Sequence, residues 1–166
     1  MSDIAPAAES FLPPAASISV MPRYFTLHHA QGLLPEVERL LRGAVRAKAA
    51  LDESQSEIAS LTGRVRMMGG MRIDPVRVAE AGQSRADAAG ALKDSMEAIG
   101  ELGVQVKDLD AGLADFPTLY RGAEVLLCWR LGESGISHWH GVEEGFQGRK
   151  KIDRDFLDHH AGDTEH

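Results

Sequence analysis

Cysteine is nearly absent: Cys128 is the only one among 166 residues, so no internal disulfide can form. It sits among apolar residues in a predicted strand, where a reduced, buried thiol is expected rather than an activated nucleophile. Basic residues are outnumbered, 18 against 25, and the net charge of −7 disfavours a general nucleic-acid binder, which needs a basic face for phosphate contacts. No apolar run approaches the ~20 residues needed to span a bilayer. The first twenty residues hold no Lys or Arg but do hold Asp3, Glu9, Pro6, Pro13 and Pro14, unlike a signal peptide. No Gly-rich loop ends in Gly-Lys-Ser/Thr, and no Ser, Cys or Lys stands in a nucleophile motif. These absences describe a soluble cytoplasmic protein, with no membrane contact and nucleic acid an unfavoured partner.

What is present begins with helix. Residues 1–21 are rich in Ala, Ser and Pro and read as a flexible tail, with Met21 an alternative start. Thr26 is a good N-cap for a first helix, and Pro35 suits the first turn of the main one. Val37, Ala44, Leu51, Ile58 and Val65 then recur every seventh residue, each followed three later by Leu40, Ala47, Ser54, Leu61 and Met68. Such an apolar seam makes a long helix that needs a long partner. Asp74-Pro75 starts that partner, an Ala-rich segment with Ala79, Ala86, Ala89, Leu92, Met96 and Ile99 expected inward. The two form an antiparallel hairpin, its tip carrying Arg64, Arg66, Arg72 and Arg77 against Asp74. A solvated turn is the ordinary use of such a charge run; an anion or nucleic-acid contact is the sharper alternative.

Past residue 103 the period changes from helix to strand. Val104 and Val106 alternate with polar neighbours, and residues 124–131 form the strongest strand, apolar on both faces and therefore central. A turn at 132–135 leads to a return strand over 136–140. The fold class is α+β: a long helical hairpin with a small antiparallel C-terminal sheet, one domain over 22–149 followed by a polar tail over 150–166. A seam this long seeks further burial, so a homodimer through the hairpin is expected.

The motifs VKDLDAGLADFP, LLCWRLGE, WH and GFQGR, preceded by YFTLHHAQGLLPEVERLL, resemble an uncharacterised bacterial family, domain of unknown function 2203, over roughly residues 22–149. The resemblance implies a shared fold and no established activity. Members of that family tend to keep the Trp and His matching Trp139 and His140, whereas the place of His138 varies.

Groups able to do chemistry crowd into this last third. Asp108 and His140, at strand ends followed by Gly112 and Gly141, are the candidate acid/base pair, with the carboxylate orienting the imidazole. Asp110, Asp115, Arg130 and Glu133 are candidate binding groups, and Trp129 and Trp139 candidate pocket walls, although core packing is the commoner use of aromatics. Aspartates beside Gly and Pro commonly cap turns instead. His138 and His140 share a strand face and could take two positions of a zinc or other divalent-metal shell. The leading functional expectation is a non-catalytic oligomeric interaction or regulatory module. The alternative is a small metal-dependent or acid/base enzyme using the Asp/His cluster.

Overall fold

The computed structural model describes residues 23–67, 69 and 74–163. Residues 1–21 with Met21, and Met68 and Arg72 of the hairpin tip, lie outside the described residues, as does the side chain of Val65.

Helix α1 runs Leu27–Met67 and α2 runs Pro75–Glu101. Thr26 Oγ1 accepts from His29 N at 3.1 Å, and Asp74 Oδ1 accepts from Val76 N at 3.0 Å, so both predicted caps satisfy first-turn amides. Pro35 does not open a separate helix; it lies inside α1. Ala30, Leu34 and Val37 are all buried on one stripe, and that packing holds the helix continuous through the missing N–H. At the end of α2 the chain turns on Gly103, φ 86°, with Gly103 N–H donating to Gly100 O and Val104 N–H to Ile99 O. This double bond pattern ends a helix and feeds it directly into the sheet.

The predicted seam is present along α1: Val37, Leu40, Ala44, Ala47 and Ser54 are buried, and Leu51, Ile58 and Leu61 half-buried. On α2 the phase differs from the expected one. Ala81, Ala88 and Ile99 are buried with Leu92 and Met96 half-buried, while Ala79, Ala86 and Ala89 face outward. A segment with alanine on every side carries too little apolar contrast to reveal its inward face.

The sheet is an antiparallel meander of β1 (Gln105–Asp108), β2 (Leu113–Tyr120), β3 (Ala123–Arg130), β4 (His138–Gly141) and β5 (Lys150–Lys151). A last strand, β6 (His160–Ala161), pairs with the far end of β2. β2 is a full eight-residue strand where the sequence suggested only turns. Pro117 disguised it. There, on the edge away from β3, Phe25 N–H donates to Pro117 O at 2.7 Å, so the neighbour brings the donor and the proline is tolerated. Arg121 and Gly122, both at positive φ (50° and 79°), make the tight β2–β3 hairpin. As expected, β3 is central: residues 125–129 are all buried. Ala114, Phe116, Val125, Leu127 and Trp129 belong to the core under the sheet end of the hairpin, with Leu34, Val37, Leu41 and Ile99 opposite them. Asp115, Leu126, Cys128 and His140 alternate with them along the strands and so face away from the hairpin.

Residues 150–163 are not a loose tail. After β5 the chain forms α3 (Arg154–His159), capped by Asp153, and buries Phe156 against the rings of Tyr120 and Trp139, each 5.1 Å away. One aromatic among polar residues is too small a sequence signal to mark a segment that completes a core. Beyond α3, Asp163 N–H donates to Tyr24 O at 2.9 Å and Thr118 Oγ1 donates to Ala161 O at 3.1 Å. Gly162 lies so close to residues 25–26 that a Cβ there would meet Thr26 N at 2.3 Å. Gly162→Ala is therefore expected to lose about 2–3 kcal/mol and lower the melting temperature by roughly 5–10 °C in thermal unfolding followed by circular dichroism. Gly82→Ala, on α2 with nothing within 4 Å, should instead gain about 0.5–1 kcal/mol in the same assay.

Candidate functional site

Asp115 on β2 lies opposite Cys128 on β3, and Leu126 on β3 lies opposite His140 on β4. With side chains alternating along each strand, all four share the outer face of the sheet. His140 Nε2 reaches diagonally to Asp115 Oδ2, 3.1 Å away, and its Nδ1 lies 2.8 Å from the carbonyl of Gly141. A carbonyl only accepts, so Nδ1 carries a hydrogen, and one proton remains for the Nε2···Oδ2 bond. Both side chains are buried, at 5% and 1% exposure. The second oxygen, Asp115 Oδ1, is buried with no hydrogen-bond partner.

Electrostatics here run against charge. Burial raises the Asp115 pKa above the ordinary carboxylate range, outweighing the opposite pull of His140. The Cys128 thiol is pushed up to about 12, first by burial and then by the neighbouring Asp115 carboxylate. A thiol held that way is not a nucleophile. The donor atoms of Asp115, Cys128 and His140 nevertheless all lie within 4.8 Å of one another.

The loop between β4 and β5 roofs these groups. It overhangs a partly open cavity of about 150 Å³ lined by Lys107, Leu113, Leu126, Val142, Glu144 and Phe146 as well as the three donors. The roof is tied down. Glu144 Oε2 accepts from Gly141 N at 2.8 Å and from Lys150 Nζ at 2.5 Å. The Arg149 guanidinium grips Glu133 through two bonds of 2.8 Å, reaches the carbonyl of Cys128 at 3.3 Å, and lies 4.7 Å above the Phe146 ring. Glu133 also accepts from Arg130 N at 2.8 Å, and its carbonyl accepts from the Trp129 indole at 3.1 Å. One Glu–Arg fork thus joins the β3–β4 turn to the roof.

The sequence candidates separate accordingly. Asp108 and His140 do not meet: β2 and β3 lie between their strands, which alone separates them by about 14 Å at ~4.8 Å per strand, and the register sets them four residues apart along β3 as well. Asp108 is exposed and accepts from Ala111 N at 3.0 Å, the turn-capping use of aspartate. Asp110 pairs with Lys48 on α1 at 2.7 Å. Trp129 and Trp139 do not wall the cavity; Trp129 belongs to the inner core and Trp139 stacks on Phe156. Arg130 is exposed, its guanidinium 5.8 Å above Phe146. His138 lies 2.8 Å from Ser137 Oγ and lies outside the donor cluster. His140 and Asp115 were both singled out, but not as partners. Cys128 is legible in the sequence as a buried thiol but not as a member of a site, and Lys107, Glu144 and Arg149 carry no site signal; the one hint is the alternation of β3, which sets Cys128 opposite in direction to Trp129.

The motif segments noted in the sequence therefore converge on one place. VKDLDAGLADFP contributes Lys107 and Asp115, LLCWRLGE contributes Cys128 and Glu133, WH contributes His140, and GFQGR contributes Phe146 and Arg149. Residues 23–152 match the family described as an uncharacterized conserved protein, DUF2203. The chain belongs to that family. No curated protein and no solved structure matches it. Within this DUF2203 domain a second, larger hollow of about 650 Å³ opens beside Thr26, Leu27, His28, Gln31, Leu157 and His160. Of its two imidazoles, that of His160 is engaged, Nε2 accepting from Leu27 N at 3.2 Å and so finishing the first turn of α1.

The Glu133 pKa is lowered: burial would raise it, but the Arg149 fork and the Arg130 amide outweigh that. A depressed carboxylate contributes stability above its unfolded pKa, about 4.3, and loses it as pH falls through the folded value. Glu133→Gln should cost about 1–2 kcal/mol at pH 7, and the difference from wild type should shrink toward zero below about pH 4 in denaturant titrations. A deficit that stayed constant with pH would remove the ionic role.

Proposed function

We propose that this DUF2203 protein is a dimeric interaction module whose hairpin is the contact arm. The supporting observation is the poverty of the hairpin seam away from the sheet. On α1 the core shared with the sheet ends at Leu41, and on α2 only Ala98, Ile99 and Leu102 enter it. Beyond that, the buried positions between the helices are Ala44, Ala47, Ser54, Ala81 and Ala88. Methyl-sized side chains let the axes approach closely but bury little area, and helices joined by so little are marginal in water. Meanwhile Leu51, Ile58 and Leu61 stay half-exposed, and Val76, Val78 and Met67 are 60%, 40% and 90% exposed. Forty-one residues make α1 roughly 60 Å long at ~1.5 Å per residue, so much of the hairpin projects past the sheet. A second hairpin laid against the first makes a four-helix bundle, the usual way to bury such faces.

A second reading, a small enzyme or metal-dependent binder, draws on the roofed cavity and its buried Asp115–His140 pair. A cytoplasmic setting suits the unoxidised Cys128 thiol, and among the described residues no helix is long and apolar enough to cross a membrane. Light scattering coupled to size exclusion should give twice the 18.0 kDa chain mass at micromolar concentration. Val78→Glu combined with Leu61→Glu should return it to one chain mass while the tryptophan fluorescence of the sheet end is unchanged. A wild-type protein that stays at a single chain mass up to about 100 μM, where even weak dimers assemble, would end the dimer reading.

A further inference from the structure

We infer that Asp115, Cys128 and His140 form a three-ligand site for a divalent transition-metal ion, zinc foremost, with a fourth position open to the cavity beneath Phe146. This deepens the second reading above and does not depend on the hairpin dimer.

Geometry carries it. A carboxylate oxygen, a thiolate sulfur and an imidazole nitrogen are the three ligand types zinc takes, at ~2.0–2.3 Å each. Tetrahedral donors at those lengths stand about 3.3–3.8 Å apart. The three donors here already lie within 4.8 Å of one another, and the Asp115–His140 contact is 3.1 Å. They come from three adjacent strands of one sheet, β2, β3 and β4, so the backbone that presents them is rigid.

Three further observations point to an ion rather than to a closed polar pair. Asp115 Oδ1 is buried with no well-formed hydrogen bond, although its side chain is only 1% exposed, and the weak donor beside the carboxylate is the Cys128 thiol, itself one of the three ligands. Buried polar atoms left unpaired are costly and call for a reason. His140 Nδ1 bonds the Gly141 carbonyl at 2.8 Å, the outer bond that fixes a ligating imidazole with Nε2 directed at the metal. Finally, the charges match: one carboxylate, one thiolate and one neutral imidazole sum to −2, which a dication balances to zero, and Lys107 is the cation on the cavity wall. Other nearby groups are committed elsewhere: Glu144 to Gly141 N and Lys150, and the Arg149 fork to Glu133. The cavity of about 150 Å³ holds a few waters at ~30 Å³ each, enough for a bound solvent molecule in the fourth position.

Binding balances in protons. The metal takes the Cys128 sulfur after its S–H proton leaves, and takes Asp115 and His140 after the single proton they share leaves. Two protons pass to solvent, while the Nδ1–H to Gly141 stays. Soft sulfur beside imidazole selects zinc, cobalt or copper over magnesium and calcium.

The full-length chain, purified without a polyhistidine tag, is stripped with chelator and titrated with Co²⁺ and then Zn²⁺. The expected result is one Co²⁺ per chain, a thiolate-to-cobalt charge-transfer band in the near ultraviolet, visible bands of four-coordinate intensity, and displacement of both by Zn²⁺. Cys128→Ser should abolish the charge-transfer band. His140→Gln and Asp115→Asn should weaken binding on the order of 100-fold or more, at or beyond the upper end of the 10–100-fold seen when an outer partner is lost. His138→Ala should bind as wild type does. Far-ultraviolet circular dichroism of each variant separates lost ligation from lost fold, and wild type alone is decisive if a variant unfolds. Wild type that takes up no stoichiometric Co²⁺, a charge-transfer band that survives Cys128→Ser in a folded protein, or loss of binding with His138→Ala would each overturn the site. The dimer is read separately by light scattering, so either proposal can fail alone.

Discussion

A strand that is apolar on both faces has to be covered twice, and residues 125–129 of β3 impose that demand on the whole chain. The hairpin covers one face, where Val125, Leu127 and Trp129 meet Leu34, Val37, Leu41 and Ile99. The other face, holding Leu126 and Cys128, lies beneath the short roof between β4 and β5. The consequence is an asymmetry: one face is packed by long helices and the other is left with a small cavity. Burial on both sides also explains why Asp115 and His140, ordinary surface residues by type, are withdrawn from water.

A charged fork ties the roof to the β3–β4 turn, beside the Glu144–Lys150 pair within it. Arg149 binds Glu133 through both carboxylate oxygens and overlies Phe146, so its position sets the height of the cavity. Bidentate geometry suits this task because it fixes orientation as well as distance. The site beneath is costly to the fold: it buries a carboxylate whose protonation is favoured by its surroundings and leaves one of its oxygens unpaired. Expensive polar groups on an otherwise well-packed sheet are where function is commonly found.

The hairpin and the site occupy different ends of the molecule and obey different constraints. Near the sheet the helices bury leucine, valine and isoleucine; farther out they bury alanine and serine. The first part belongs to the domain's own core, and the second is an arm with too little apolar area between its helices to need no neighbour.

Repetition in the chain was enough to determine the local elements. The seven-residue seam of α1, the Thr26 and Asp74 caps and the two-faced apolar run of β3 are all signals confined to a few neighbouring residues, and all are realised among the described residues. Where the local signal was weak or uniform, only the tertiary structure decided. Alanine on every side of α2 hid its inward face, Pro117 hid β2, and Phe156 alone did not reveal that residues 150–163 complete the core. The site shows the same division. Asp115, Cys128 and His140 are visible as residue types, but their meeting depends on the β2–β3–β4 register, because a shift of one residue would turn any of them to the opposite face. That register is a property of strands pairing across the sheet, not of any stretch of sequence, and it is why Asp115 rather than Asp108 became the partner of His140.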